Sequence, residues 1–227
     1  MKHLIIKCLL TLAVFVGTPG VRAEAAEYLI GRGMTDITGP AFGIQMWGFG
    51  REDQLTEGLH IRQRARAFII AEPDDGKRLV FVSADIGSIE HNITLEVLDR
   101  LKARYQGLAG AFYLELFERI VEGIVAAIAA AHVDLQPGDI LINKGDVEGA
   151  GANRSMVAYE QNPAEERARY AEPMDKEMTL LSFVGADGPV GTVNWFAVHP
   201  TSMTYNNKLI SGDHKGYASL AFEKAMG

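Results

Sequence analysis

Two pairs of β-rich runs, each split by turn-forming residues, bracket two amphipathic helical segments, an order that restricts the chain to folds packing helices against antiparallel strands. Ala65 to Ala71 and Arg78 to Asp85 are separated by Glu72-Pro73-Asp74-Asp75-Gly76, and Met178 to Val184 and Val190 to Val198 by Gly185-Ala186-Asp187-Gly188-Pro189. Both spacers have hairpin chemistry, so each pair predicts a hairpin that ends in a polar loop, at Ser83-Ala84-Asp85 and at His199-Pro200-Thr201. Between the hairpins, Asn92 to Tyr105 places Ile93, Val97, Leu101 and Tyr105 on one stripe. Ala111 to Ala131 does the same with Phe112, Leu116, Ile120, Ile124 and Ile128, while Glu115, Glu118, Arg119 and Glu122 keep it from reading as a membrane helix. A short strand at Tyr28 to Gly33, a glycine-rich loop through Gly39, Gly43, Gly48 and Gly50, a strand at Asp139 to Val147, a polar helix near Pro163 to Arg169 and a closing helix from Lys215 to Met226 complete the pattern. The expected fold is α/β, in the form of a mixed α+β sandwich with β-hairpins and packed helices.

Residues 1–23 have the layout of a secretory signal peptide: Lys2 and Lys7, an apolar stretch from Leu9 to Val16, then Pro19-Gly20 and a small-residue exit at Val21-Arg22-Ala23. That apolar stretch is far short of the roughly 20 residues that span a bilayer, so the expectation is a cleaved signal and a secreted or periplasmic product. The single cysteine, Cys8, lies inside it, which leaves a metal site only His, Asp, Glu or Tyr as donors. Removing Lys2, Lys7 and Arg22 takes 22 basic residues to 19 against 29 acidic ones, a balance that argues against a nucleic-acid partner.

His199 is the leading candidate for chemistry. It ends the run Asn194-Trp195-Phe196-Ala197-Val198-His199, and the proline after it biases it toward extended geometry, so it is expected to close a strand at an edge where α/β folds place ligands. A hydrogen-bonded rim histidine fits the same spacing. Arg154, in Asn153-Arg154-Ser155 after Gly149-Ala150-Gly151, offers a rigid donor fork for a carboxylate, phosphate or oxyanion, or else a surface salt bridge. His60 and His214 read as structural histidines that could approach in space; no H-E-x-x-H pair and no G-x-S-x-G elbow occurs, so neither a short metal motif nor a serine triad is legible.

Several stretches together resemble the neutral ceramidases, the zinc-dependent amidases that split ceramide into sphingosine and a fatty acid. They are Asp36-Ile37-Thr38-Gly39-Pro40, Glu57 to Ile69, Val80 to Gly87, Asn153-Arg154-Ser155 ahead of Ala158-Tyr159 and Asn162-Pro163, Asp175 to Leu181, Asn194 to Met203, and Ser211 to Ser219. The resemblance implies that residues 24–227 are the N-terminal portion of a larger catalytic domain, that His199 is a ligand of Zn2+, and that Arg154 lies near the reacting amide. It also implies a ceramide or related sphingolipid substrate, with access to lipid at a membrane surface.

The chain departs from that family in three ways. The segment T-H-T-H-S-G-P-G-G, which carries the family's first zinc histidine, is expected between the two helices, yet Arg104-Tyr105-Gln106-Gly107 runs straight into Leu108-Ala109-Gly110-Ala111. The active-site serine run G-D-V-S-P-N has only a decoy, Gly145-Asp146-Val147-Glu148, and His214 stands where an asparagine is usual. The remaining ligands, a glutamate and a tyrosine, are expected beyond Gly227, so the chain reads as truncated with an internal deletion, and as a poor enzyme. A non-catalytic lipid-binding remnant, or a secreted hydrolase of another amide or ester, stays open. Expressed with its leader in an exporting host, the chain is expected to begin at Glu24, and intact-mass analysis of the exported product showing residues 1–23 still attached would refute the cleaved-signal reading.

Overall fold

The computed structural model describes residues 28–46, 48–73, 77–102 and 114–227; residues 1–23, read above as a signal peptide, and the Tyr105-to-Ala111 junction lie outside these. Six strands form one sheet in the order β5-β4-β1-β6-β7-β8: β1 (Tyr28–Asp36), β4 (Arg64–Ala71), β5 (Arg78–Ala84), β6 (Gln136–Asp146), β7 (Glu177–Gly185) and β8 (Gly188–Phe196). A smaller sheet, β2-β3-β9, joins β2 (Phe42–Gln45), β3 (Leu55–Leu59) and β9 (Leu209–Ile210). The helices are α1 (His91–Lys102), α2 (Leu114–Val133), the short α3 (Met156–Glu160) and α4 (Ala164–Arg167), and α5 (Asp213–Met226). None of those described is long and apolar enough to cross a membrane.

α2 lies on β1 and β4 with almost no side chain between backbones. Gly31 and Gly33 face it: a Cβ at Gly31 would overlap the Ala131 carbonyl, and one at Gly33 would stand 2.6 Å from the Ala131 nitrogen. Thr35 Oγ1 donates to the Gly123 carbonyl one rung further along. β4 presents Ala65, Ala67 and Ala71 on the same face, all buried, and Ile69 with them, because side chains two apart on a strand share a side. Against this small-residue floor α2 sets Ile120, Val121, Ile124, Ala127, Ile128 and Ala131. α1 closes the layer with Ile93 and Val97, and Arg100 ties it to α2 by bridging Glu96 (2.8 Å) and Glu118 (2.9 Å).

The large sheet is folded across itself. β1 and β6 pair only through Tyr28 to Ile30 against Gly138 to Gln136, and beyond that corner the wings β5-β4-β1 and β6-β7-β8 turn their inner faces together. Phe68 of β4 meets Phe183 of β7 with ring centroids 4.9 Å apart, and Phe81 of β5 meets Trp195 of β8 edge-on at 6.0 Å. In a flat sheet β5 and β8 would be about 24 Å apart, five strand spacings. Ile30, Val190 and Val193 complete this second core, and Arg32 Nη1 donates to the Val190 carbonyl at 2.8 Å to pin one wing to the other. The result is a mixed α+β sandwich of three layers.

Both expected hairpins form, with two corrections. The second turn is only Ala186-Asp187, with Gly188 at φ 124°, and a register shift at Phe183/Val184 absorbs the extra residue Val190. β8 also ends at Phe196 rather than reaching His199: the Val198 N–H turns back to the Phe196 carbonyl (2.9 Å), and β7 begins only at Glu177, leaving Val198 no strand position opposite it. The glycine-rich stretch read as loop contains β2, paired to β3.

The close approach sets a stability prediction. Gly31→Ala and Gly33→Ala should each cost about 1–3 kcal/mol or more by overpacking, because the obstacle is helix backbone that cannot rotate away. Gly145→Ala, where no atom lies within 4 Å of the new Cβ, should stay within about 0.5 kcal/mol of the parent. Urea unfolding midpoints that fall equally for all three would show that the helix–strand contact is not the limiting fit.

Candidate functional site

At one end of the sandwich the loop 197–208, which follows β8, meets the 147–155 loop, β3 and the start of α5. Gly151 lies under Val198, its Cβ position 3.7 Å from Val198 Cγ2 and 3.0 Å from Met174 Cε, so the arginine-bearing loop packs directly beside the exit of β8. Within that loop Asn153 Nδ2 donates to the Pro173 carbonyl at 2.9 Å and Asn153 Oδ1 accepts the Ser155 N–H at 2.8 Å, a local brace around Arg154. Arg154 is exposed, and among the described residues no carboxylate pairs with it. His199 is also exposed, and no described residue hydrogen-bonds its ring. The two predicted residues therefore sit on neighbouring loops, with their polar groups uncommitted.

What holds the His199 loop is a set of residues that the sequence reading passed over. Asp213 Oδ1 accepts the N–H groups of Ser202 (3.0 Å) and His214 (2.6 Å), and Oδ2 accepts that of Met203 (2.7 Å). Asp213 does this from φ 53°, a left-handed conformation uncommon for a non-glycine residue, with its own N–H bonded to Ser211 Oγ at 3.0 Å. Burial alone would raise its pKa, but the backbone N–H groups of Met203, His214 and Ser202 outweigh that and hold the carboxyl well below the usual 3.8. Further along, Gln54 Nε2 donates to the Tyr205 and Asn207 carbonyls (3.0 and 2.8 Å), and Leu209 pairs with Gly58 of β3. At the start, Lys215 Nζ donates to the Phe196 carbonyl at 3.3 Å and lies 5.1 Å from the Phe196 ring centroid; burial lowers its pKa. The cue for Asp213 was present as an acid opening a helix after Ser211-Gly212.

His60 and His214 both anchor to this segment, in line with their reading as structural. His60 Nδ1 bonds Ser211 Oγ at 3.0 Å. His214 Nδ1 lies 2.9 Å from Asp213 Oδ1 and 3.4 Å from Ser202 Oγ. A serine relay needs the two ring nitrogens to serve serine and carboxylate separately, so these three residues do not make one. Among the described residues no three His, Cys, Asp or Glu side chains gather as a metal cage, so the donor set around His199 does not fit a zinc centre.

Residues 28–111 and 105–227 match the family model of neutral/alkaline non-lysosomal ceramidases, N-terminal part. The chain belongs to this family. This ceramidase-family chain is 45% identical over 230 residues to the neutral ceramidase of Oryza sativa subsp. japonica, a match covering 88% of the chain and 29% of that protein. With the neutral ceramidase of Pseudomonas aeruginosa it shares 39% identity over 232 residues, 89% of the chain and 34% of the relative. A crystal structure of neutral ceramidase from Pseudomonas aeruginosa superposes with a TM-score of 0.80, covering 89% of this chain and 37% of that one. A structure described as ceramidase complexed with C2 superposes at 0.79, covering 89% and 36%. The chain thus spans about a third of the length of the relatives it matches. The family match is made in two stretches that meet at 105–111, where the histidine segment was expected.

The Asp213 latch can be tested through acid stability. A carboxyl held below its ordinary pKa contributes stability that is complete above about 3.8 and is lost as the pH falls toward the lower folded value. Asp213→Asn turns one acceptor into a donor facing an N–H, and should cost about 1–3 kcal/mol at neutral pH. It should also flatten the acid limb of the stability profile below pH 3.8. Unfolding curves at neutral and acid pH that superpose on those of the parent would remove the latch.

Proposed function

We propose that this chain is the N-terminal part of an exported, zinc-dependent amidohydrolase that cleaves the N-acyl linkage of ceramide, and that it is inactive as it stands. The observation that carries the reading is the family match along residues 28–227, combined with Arg154 and His199 on adjoining loops with uncommitted side chains. Amide hydrolysis needs a polarised carbonyl, an activated water and a donor for the developing oxyanion. In this reading Arg154 is the oxyanion donor, since its guanidinium offers a rigid fork of N–H donors and no described carboxylate pairs with it. His199 would be one ligand of the zinc, whose chemistry when bound is to polarise the carbonyl and acidify water.

One imidazole leaves a zinc ion mostly to water. That supports the inactivity of the chain and favours a second reading, a non-catalytic lipid-binding remnant without the metal. A sphingolipid substrate met at a membrane surface, and export through the leader at residues 1–23, belong to the same proposal.

The purified chain should lose added zinc on dialysis and release no fatty acid from ceramide, while binding a fluorescent ceramide saturably and more weakly after Arg154→Ala. Because Arg154 is exposed and pairs with no described carboxylate, that substitution should move stability by no more than about 0.5 kcal/mol, so weaker binding would report on the site and not on the fold. Zinc-dependent turnover by the chain would overturn its inactivity, and absence of any ceramide binding would overturn the substrate reading.

A further inference from the structure

A cleft of about 240 Å³ opens between the start of β4, the end of β5 and the first two turns of α5. Arg62, Arg64, Arg66, Asp85, Gly216 and Leu220 line it, with Ile61 and His60, the latter bonded to Ser211 Oγ, beside them. Two of the three guanidinium groups are spoken for. Arg62 pairs with Asp36 at 2.9 Å, and Arg66 donates to Asp85 at 2.8 Å and to Glu223. Arg64 differs: among the described residues no carboxylate or other acceptor is bonded to its guanidinium, although its backbone is held at both ends by Asp85 (Arg64 N–H to Oδ2, 3.0 Å; Asp85 N–H to Arg64 carbonyl, 3.0 Å). Asp85 is turned to other donors, Oδ1 accepting Arg66 and Oδ2 the Arg64 N–H, and neither oxygen bonds the Arg64 guanidinium. A part-buried arginine is thus carried into the cleft on a fixed backbone, with its own charge unanswered.

The opposite wall is helix backbone. Gly216 is the one buried residue of α5, yet no atom lies within 4 Å of where its Cβ would stand, so the space that a side chain would fill is open. Ile61 and Leu220 make the remaining wall apolar, and Tyr217, 65% exposed, continues an apolar surface along α5. A guanidinium fork beside an apolar wall suits one kind of ligand, an oxyanion head on a hydrocarbon chain.

We propose that this cleft binds an aliphatic carboxylate, its head on Arg64 and its chain along Ile61 and Leu220. The site is separate from the Arg154 and His199 loops, needs no metal, and stands or falls independently of the amidase reading.

The test is a titration of the full 227-residue chain, isotopically labelled, with octanoate below its micelle concentration. Saturable amide shifts are expected at Ile61, Arg64, Gly216 and Leu220. Arg64→Gln should weaken binding about tenfold or more, the loss expected for a charge-assisted hydrogen bond. Gly216→Leu, which fills the cleft and leaves every charge in place, should abolish it, and provides the test should Arg64→Gln fail to fold. Octanoate that moves none of these amides, or binds both variants as it binds the parent, overturns the proposal. Octan-1-ol binding as tightly as octanoate would overturn the role of Arg64, and inorganic phosphate binding as tightly would overturn that of the apolar wall.

Discussion

The contact on which the rest of this structure depends is that of two backbones. Four residues of α-helix advance by about 6.0 Å, and two residues of strand by about 6.6 Å. The near match lets successive helix carbonyls, at Ala131, Ala127 and Gly123, face successive strand positions, at Gly31, Gly33 and Thr35, for three rungs before the repeats drift apart. Any side chain at the first two rungs would force the helix off the sheet. β1 is also the strand on which the layers meet, for it pairs with β4 along its length and with β6 at its start. Seating α2 on β1 therefore orients the helical layer and the first wing together.

The short β1–β6 pairing then decides the shape of the molecule. Because only Tyr28 to Ile30 bond to β6, the second wing is free to swing over the first and bury Phe68 against Phe183. That closure brings to one end loops that are distant in sequence, the stretch around Arg154 and the one around His199. Their positions are kept by polar ties more than by burial. Asp213 gathers three N–H groups from the loop and the head of α5, and Gln54 takes two carbonyls from the same loop. Removing a carboxylate that serves several part-buried donors at once leaves them all without that partner, so such ties matter beyond their number.

Membership of the neutral/alkaline ceramidase family is written across nearly the whole described chain, while the chain corresponds to about a third of its relatives. The two loops form the edge of a site rather than a closed pocket, and His199 has no companion donors among the described residues.

The sequence by itself determined the elements whose signals are local: both hairpins, the stripes of α1 and α2, β6 and the closing helix, since turn chemistry and side-chain periodicity act over a few residues. It marked Arg154 and His199 by their flanking runs, but it extended β8 to His199, because strand propensity continues through Ala197 and Val198 where pairing does not. β2, β3 and β9 were illegible, being short, with β9 joined to β3 only by pairing Leu209 to the distant Gly58. Only the tertiary structure decided that Gly31 and Gly33 are a docking floor, that Asp213 is a latch, and that the Arg64 guanidinium has no partner among the described residues while Arg62 and Arg66 are paired. Each of those depends on which atoms of distant segments arrive nearby, and no window of sequence contains that.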